Sequence, residues 1–184
     1  IVEQVARALD HAWQHGYVHR DIKPANILIN RENVVKLTDL GIAKSHTDVD
    51  PGLTQTGTTV GSPLYISPEQ ARGDEVDIGA DIYSLGITLF QMVTGKPPFS
   101  GTTMEVVAKH VTQPVPSPKE FTPGVSDGLC ALIGRMTAKS RDQRQKDPAH
   151  LIDDIRLIRE GKPVSAMTQP RTAARATRSK HSNS

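Results

Sequence analysis

The first residues of the chain place apolar side chains at a helical spacing. Ile1, Val5, Leu9 and Trp13 recur at every fourth position, which puts them on one face of a helix. Gly16 follows this pattern directly, and glycine commonly ends helices because it adopts a left-handed backbone without steric cost. The pattern therefore predicts an amphipathic helix that stops at Gly16.

The next apolar runs are short and rich in β-branched residues. They read "YVH", "NILI" and "VVKL" and begin at Tyr17, Asn26 and Val34. The last two are separated by "NREN", a polar stretch that suits a hairpin turn. From Thr38 to about Gly61 the chain is rich in Thr, Ser, Asp, Gly and Pro, and a loop of that length is usually functional or disordered.

The second half of the chain has helical periodicity. The stretch "ADIYSLGITLFQMVTG" is apolar nearly all round, which predicts a central buried helix ending at Gly95. Three amphipathic stretches, "TTMEVVAKHVT", "SDGLCALIGRMTAK" and "PAHLIDDIRLIREG", follow it, with Ser126 and Pro148 as start signals for the last two. The order of elements predicts an α+β fold, mainly α, in which a small strand cluster precedes a helical bundle.

Composition narrows the function classes. Aromatic residues make up only 4% of the 184 residues, too few for platforms that stack single-stranded nucleic acid. The 22 basic and 20 acidic residues are unevenly placed, because residues 162–184 hold five basic residues and no acidic one. The body is therefore mildly acidic, which argues against a nucleic-acid partner, and the basic, aperiodic tail over 162–184 is predicted to be disordered.

One cysteine and one long apolar run bear on the cell compartment. Cys130 is the only cysteine, which excludes an internal disulfide, and its place on an apolar helix face predicts a small core residue. The run "IYSLGITLFQMV" is shorter than a membrane span requires. A membrane contact is therefore expected only through segments outside this sequence, or through attraction of the basic tail to anionic lipid.

The charged residues in "YVHRDIKPANILI" are unusual for a short stretch between apolar flanks. In a loop between two strands, the spacing of Asp21, Asn26 and Asp39 returns Asn26 and Asp39 to the same edge of the strands. A carboxylate and an amide oxygen there could hold Mg²⁺, which prefers oxygen ligands together with substrate phosphates. The spacing predicts a metal–nucleotide site.

Four motifs in this order carry a family resemblance. "HRDIKPAN", "DLG", "SPE" and "DIYSLG" together resemble the catalytic half of the Ser/Thr protein kinases, most closely the eukaryotic-like kinases of bacteria. The resemblance implies a protein-kinase-like large lobe, a helical bundle with short β-hairpins that carry the catalytic loop. It also implies ATP and Mg²⁺ as cofactors and Ser/Thr hydroxyls of proteins as substrates.

The resemblance assigns roles to individual positions. Asp21 would orient the substrate hydroxyl and accept its proton, and the ammonium of Lys23 would neutralise charge on the transferring γ-phosphoryl group. Asn26 and Asp39 would bind Mg²⁺. Lys23, Asn26 and Asp39 would thereby form the nucleotide-binding set.

The loop from Asp39 to Glu69 is similar to an activation segment. Arg20 would then supply a guanidinium that grips a phosphate in this loop, and Thr54 and Thr56 in "TQT" are the expected phosphorylation sites. The alternative is that these threonines are only polar, solvent-exposed residues of the loop and are not phosphorylated.

Five further positions are expected to be structural. The resemblance makes His19 a packed, hydrogen-bonded core residue, Glu69 the partner of Arg144, and Asp81 an anchor for the backbone of the catalytic loop. "GSPLY" resembles the segment where kinases seat the residue next to the phosphoacceptor, with Ser62 near Asp21.

An alternative role for His19 is metal binding. His11, His15 and His19 recur at four-residue spacing, but Gly16 interrupts the helix before the third of them.

The sequence departs from the family pattern at several points. Leu40 replaces the usual Phe of D-F-G, Ser67 replaces Ala before "PE", and Arg141 stands where a Pro is common. A glycine-rich phosphate loop, a strand lysine and its glutamate partner do not precede Ile1. We therefore expect residues 1–161 to be an incomplete kinase domain, the C-terminal lobe alone.

Three hypotheses about the whole protein follow. The chain is a fragment of an active Ser/Thr kinase, which would be inactive without its N-lobe; or a non-catalytic kinase-like docking module; or one part of a split kinase completed by another chain. The first is favoured because a docking module has no physical need for the charges of the catalytic loop. A cytoplasmic location is expected, with the cytoplasmic domain of a membrane-anchored kinase as the alternative.

Overall fold

A computed structural model describes residues 1–39, 44–45 and 63–164. Its helices are α1 Val2–Gln14, α2 Pro68–Arg72, α3 Ile78–Thr94, α4 Thr103–Thr112, α5 Asp127–Met136 and α6 Pro148–Arg159. Its strands are β1 Tyr17–Val18, β2 Ile27–Ile29, β3 Val35–Leu37 and β4 Lys44–Ser45. Short 3₁₀ turns within these ranges lie at Pro24–Asn26, Pro63–Tyr65, Pro118–Glu120 and Arg141–Gln143. The mainly helical α+β architecture predicted from the sequence is confirmed.

The described strands form two small antiparallel sheets of two strands each. Strands β2 and β3 form the predicted hairpin, with Ile27 opposite Leu37. The side chain of Asn30 shapes its turn by accepting hydrogen bonds from the backbone N–H groups of Glu32 and Val34. The second sheet pairs β1 with β4, a strand that the hydrophobic pattern did not predict.

Helix α3 is the centre of the core, as the sequence predicted. Every residue from Ile78 to Phe90 is buried. Helix α5 packs across it at Gly86, where an added Cβ would lie 2.7 Å from Met136 Cβ and 2.8 Å from Thr137 Cγ2. Only glycine allows this close approach, and α1 packs against α6 on another side of the same core.

The helix ends follow local capping rules. Ser126 caps α5 by accepting from Leu129 N–H, and Asp147 caps α6 one residue before Pro148. Gly95 ends α3 with φ of +79°. These boundaries agree with the predicted start and stop signals.

Two sequence expectations need correction. Cys130 is partly exposed rather than a core residue, because it lies on the flank of α5. The folded unit also extends past residue 161, since Lys162 N–H donates to Leu157 O and Val164 is buried. The rest of the predicted disordered tail, residues 165–184, lies outside the described residues.

None of the helices in the described ranges combines the length and the apolar content that a membrane crossing requires.

Candidate active site

The loop between β1 and β2 is fixed to the buried helix α3. Asp81 accepts hydrogen bonds from the backbone N–H of His19 at 2.8 Å and of Arg20 at 2.7 Å. Arg20 has φ of +66°, a conformation that is costly for a residue with a side chain, and these two bonds help to stabilise it. Burial raises the pKa of Asp81 to about 6, although the two backbone hydrogen bonds act in the opposite direction.

Asp21, Lys23 and Asn26 come together at the tip of this loop. Lys23 Nζ donates to Asp21 Oδ2 at 2.7 Å, and Asn26 Nδ2 donates to the same oxygen at 3.0 Å and to Asp21 O at 2.8 Å. The side chains of Asp21 and Lys23 are only 15% and 21% exposed. Both of these side-chain hydrogen bonds are made to Oδ2, and no described residue donates to Asp21 Oδ1.

Asp39 lies beside Asn26 at the end of the β2–β3 hairpin. The backbone N–H of Thr38 donates to Asn26 O at 3.0 Å, which sets the next residue, Asp39, at the same edge. Asp39 is exposed and has φ of +60°. That Asn26 and Asp39 share a metal site stays a prediction from the sequence.

The donor set of this edge fits a hard cation such as Mg²⁺. The described residues contain no group of three or more His, Cys, Asp or Glu side chains that could hold a metal. Asn26 and Asp39 could supply two oxygen ligands, and Mg²⁺ typically takes its other ligands from phosphates and water.

His19 is buried and joins the loop to the end of β3. Its Nε2 donates to Thr38 O at 3.0 Å, and its Nδ1 accepts from the backbone N–H of Asp21 at 3.3 Å. Both ring nitrogens are thereby used. The alternative of a metal site built from His11, His15 and His19 is wrong, because the three side chains form no such group.

Arg20 carries a buried donor without a partner. Its Nε is fully buried and has no hydrogen-bond partner among the described residues, which is costly for a charged group. Its carbonyl oxygen accepts a hydrogen bond from Gln70 Nε2 at 2.8 Å, which joins helix α2 to the catalytic loop. The expected phosphorylation sites Thr54 and Thr56, and Ser62, lie outside the described residues.

Glu69 and Arg144 form a buried ion pair. Arg144 donates to the two carboxylate oxygens at 2.6 and 2.9 Å, and the side chains are 0% exposed for Arg144 and 3% for Glu69. Arg144 also donates to Gly79 O and Ala138 O, so its guanidinium joins three segments of the chain. This geometry fits a structural role.

Two of the departures from the family pattern have local partners. Ser67 caps α2 and forms a capping box with Gln70. Arg141 donates to Asp77 Oδ2 at 3.0 Å and to Glu75 O, next to the start of α3. Leu40 lies outside the described residues.

Sequence reasoning missed Gln70, although it is the residue that links α2 to the catalytic loop. A signal for it was available, since "SPEQ" is a Ser-x-x-Gln capping box. It also missed Ser84, whose Oγ donates to Tyr65 O at 2.7 Å. No short-range pattern indicates that contact, because the two residues lie on separate elements.

Comparison of the sequence with known proteins identifies its family. The family model described as "Protein kinase domain" matches residues 1–153. The chain is 41% identical over 168 residues to "Serine/threonine-protein kinase PknB" of Mycolicibacterium smegmatis, covering 90% of this chain and 27% of that protein. The proteins of the same name in Mycobacterium tuberculosis and Mycobacterium leprae are 39% and 40% identical, with the same coverage.

The chain spans about a quarter of the length of these curated relatives. The family match, by contrast, covers most of the chain and includes the catalytic loop and helices α1 to α5. The chain therefore belongs to the protein kinase family, among the eukaryotic-like Ser/Thr kinases of bacteria.

Proposed function

We propose that this chain carries the catalytic loop of a Ser/Thr protein kinase, which transfers the γ-phosphoryl group of ATP to hydroxyl groups of proteins. The convergence of Asp21, Lys23 and Asn26 is the observation that carries the proposal. The names of the relatives agree with it.

Asp21 is the group that meets the substrate hydroxyl. Its free Oδ1 accepts the hydroxyl proton while the hydroxyl oxygen forms a bond to phosphorus and the bond from phosphorus to the leaving oxygen of ADP breaks. Lys23 and Asn26 hold the other oxygen of the carboxylate, which fixes the direction of Oδ1. The ammonium of Lys23 also lies where it can neutralise charge on the transferred group.

Asn26 and Asp39 would hold Mg²⁺. When bound, the ion neutralises the phosphate oxygens and orients the chain of phosphates. The buried Nε of Arg20 supports a further role, because a phosphate on the activation segment, at Thr54 or Thr56, would give this donor a partner.

A small lobe that completes the ATP site is part of the proposal. Leu28 and Ile29 of β2 are 54% and 47% exposed, and Val34 beside them is 45% exposed. This apolar edge, next to Asn26, suits contact with an adenine ring and with the lobe that would cover it. We further expect the kinase to act in the cytoplasm, where Cys130 would stay reduced.

The test uses the full-length protein and a variant of the proposed base. Asp21→Asn should lower kcat for peptide phosphorylation about a hundredfold or more. The matched control is Asp153→Asn, an exposed carboxylate on α6 that should leave kcat unchanged. Retained turnover in Asp21→Asn with an unchanged melting temperature would remove Asp21 from this role.

The second candidate function is a non-catalytic docking module, favoured by the same exposed apolar edge of β2. It predicts that Asp21→Asn leaves every measurable property of the protein unchanged, including partner binding. Transfer of ³²P from ATP to a protein by the wild type, and its loss in the variant, excludes this function.

A further inference from the structure

A chain of hydrogen bonds leads from Lys139, three residues after the end of α5, to the 3₁₀ turn Pro63–Tyr65. Lys139 Nζ donates to Tyr83 Oη at 2.9 Å, and Tyr83 Oη lies 2.9 Å from His110 Nδ1. His110 Nε2 lies 3.1 Å from Leu64 O. Tyr83 and His110 are fully buried, so the bond between them is shielded from water.

The partners of His110 select one tautomer. Leu64 O can only accept, so Nε2 must carry the proton. In a neutral ring Nδ1 then accepts from the hydroxyl of Tyr83, whose oxygen in turn accepts from Lys139. Burial, with a smaller effect from the charge of Lys139, lowers the pKa of His110 to about 4, which keeps the ring neutral near pH 7.

The turn that His110 holds is attached to the catalytic loop from its other side. Ser84 Oγ donates to Tyr65 O at 2.7 Å, and Gln70, in the helix that follows, donates to Arg20 O. Arg20 directly precedes Asp21. The backbone from residue 63 to 70 therefore spans the distance between α4 and the proposed base.

His110 itself is held rigidly. Its ring packs edge-on against Phe99 and Tyr83, with centroid distances of 5.0 and 5.8 Å. A rigid donor fixes the position of the carbonyl that it binds, so the path of the 63–65 turn is set from α4.

We propose that His110 is a positioning residue for the protein substrate, because its Nε2 hydrogen bond to Leu64 O sets the turn that seats the residue next to the phosphoacceptor. This inference rests on the proposed function for its link to substrate. The hydrogen bond and its effect on the turn do not depend on that function.

Two variants of His110 separate the hydrogen bond from general damage. His110→Gln keeps an N–H near the position of Nε2, and His110→Asn keeps a polar atom near Nδ1 but loses the donor to Leu64. His110→Gln loses the hydrogen bond to Tyr83, and His110→Asn loses the one to Leu64 O. Both lose the imidazole ring, so the two variants lose similar packing contacts. In the full-length protein, we expect His110→Asn to raise the KM for peptide about fivefold, as the loss of one hydrogen bond predicts.

The same assay provides the contrast. His110→Gln should stay within about twofold of the wild-type peptide KM, and neither variant should change the KM for ATP or the kcat at saturating peptide by more than about twofold. Equal effects of the two variants on the peptide KM, or a loss of kcat alone, would overturn the proposal.

Hydrogen exchange tests the hydrogen bond without activity. Amides of residues 63–70 should exchange at least about threefold faster in His110→Asn than in His110→Gln. Equal exchange overturns the role of His110 even if the protein transfers no phosphate, whereas inactivity of the wild type bears on the proposed function alone. If His110→Asn does not fold, His110→Gln is compared with the wild type. Because Gln keeps the donor to Leu64 O, its amides of residues 63–70 should exchange within about twofold of the wild-type rates, and an increase of about threefold or more counts against the proposal.

Discussion

Asp81 accepts a hydrogen bond of 2.7 Å from the backbone N–H of Arg20, although 61 positions separate the two residues. The bond joins the most buried helix of the molecule to a residue in a left-handed conformation, one position before the proposed base. The geometry of the catalytic loop is therefore set by the helical core.

Replacing Asp81 by Asn should disturb this loop. An amide has only one acceptor atom, so one of the N–H groups of His19 and Arg20 would face an N–H donor. We expect a loss of about 1–3 kcal/mol in the free energy of unfolding, typical of a buried unsatisfied donor. Urea denaturation measures it.

Asp77→Asn is the matched control for this variant. Asp77 caps the same helix α3 through Gly79 N–H, and Asn is an equally good cap. The variant also removes the charge paired with Arg141, an exposed pair, so the expected change is below about 1 kcal/mol. If both variants lost the same stability, the two hydrogen bonds from the loop would not be the cause.

Thr88→Val should stabilise the protein. The Oγ1 of Thr88 is buried in α3 and has no hydrogen-bond partner in the part of the chain that the structure describes, and Val replaces the hydroxyl with a methyl group of similar size. We expect a gain of about 1 kcal/mol in the free energy of unfolding. The comparison is Thr137→Val, because Thr137 Oγ1 is also buried but donates to Ile133 O at 2.7 Å. Thr137→Val should give no gain, and a similar gain in both variants would contradict the prediction.

The Glu69–Arg144 pair should be sensitive to the loss of either partner. Glu69→Gln removes one charge and should cost about 3 kcal/mol, because the guanidinium stays buried without compensation. Arg144→Met should cost more, since it also removes the hydrogen bonds to Gly79 O and Ala138 O. Chemical denaturation of both variants gives the two values.

The exposed pair of Arg141 with Asp77 provides the contrast. Both side chains are about 40% exposed, and such pairs contribute less than about 1 kcal/mol. A cost for Arg141→Met as large as that for Arg144→Met would show that burial is not the decisive factor.

Lys139 should make stability rise with pH in the alkaline range. Burial, aided by the charges of Arg144 and Arg72, lowers its pKa from 10.5 to about 8. Between these two pH values the unfolded chain binds the proton more tightly than the folded chain does, so the free energy of unfolding increases as pH rises. After allowance for solvent screening of this half-exposed ammonium, we expect a gain of about 1 kcal/mol.

The measurement compares wild type and Lys139→Met by urea denaturation from pH 8 to pH 10. The difference between the two curves isolates Lys139, because other lysines titrate equally in both proteins. Tyr83, whose pKa is raised by burial, titrates above this window. Identical slopes in the two proteins would contradict the prediction.

The sequence predicted those parts of the fold that repeat a local pattern. The apolar stretch around Leu85 predicted helix α3, and Ser126 and Pro148 predicted the starts of α5 and α6. Strand β4 was not predictable, because its two residues, Lys44 and Ser45, are too few to show a period and it exists only through pairing with β1.

The residues of the candidate site also fall into those that a local motif predicts and those that only long-range contacts bring into place. Asp21, Lys23 and Asn26 lie within six consecutive positions, so a motif could indicate them. The role of His110 could not be predicted from the sequence, because its partner is the backbone carbonyl of a residue 46 positions away. Every residue has such a carbonyl, so no side-chain pattern indicates the contact. The role of Lys139 likewise depends on long-range contacts, since Tyr83 is 56 positions from it.

The absent side chain of Gly86 also determines how α3 can turn. A rotation of α3 about its own axis would bring a Cβ atom into the space next to Met136 and Thr137, where none fits. Excluded volume therefore fixes the rotation of α3 about its axis. The direction of the Asp81 side chain is fixed with it. Because Asp81 holds the loop that carries the proposed base Asp21, the direction of that base depends on the absence of a Cβ atom at Gly86.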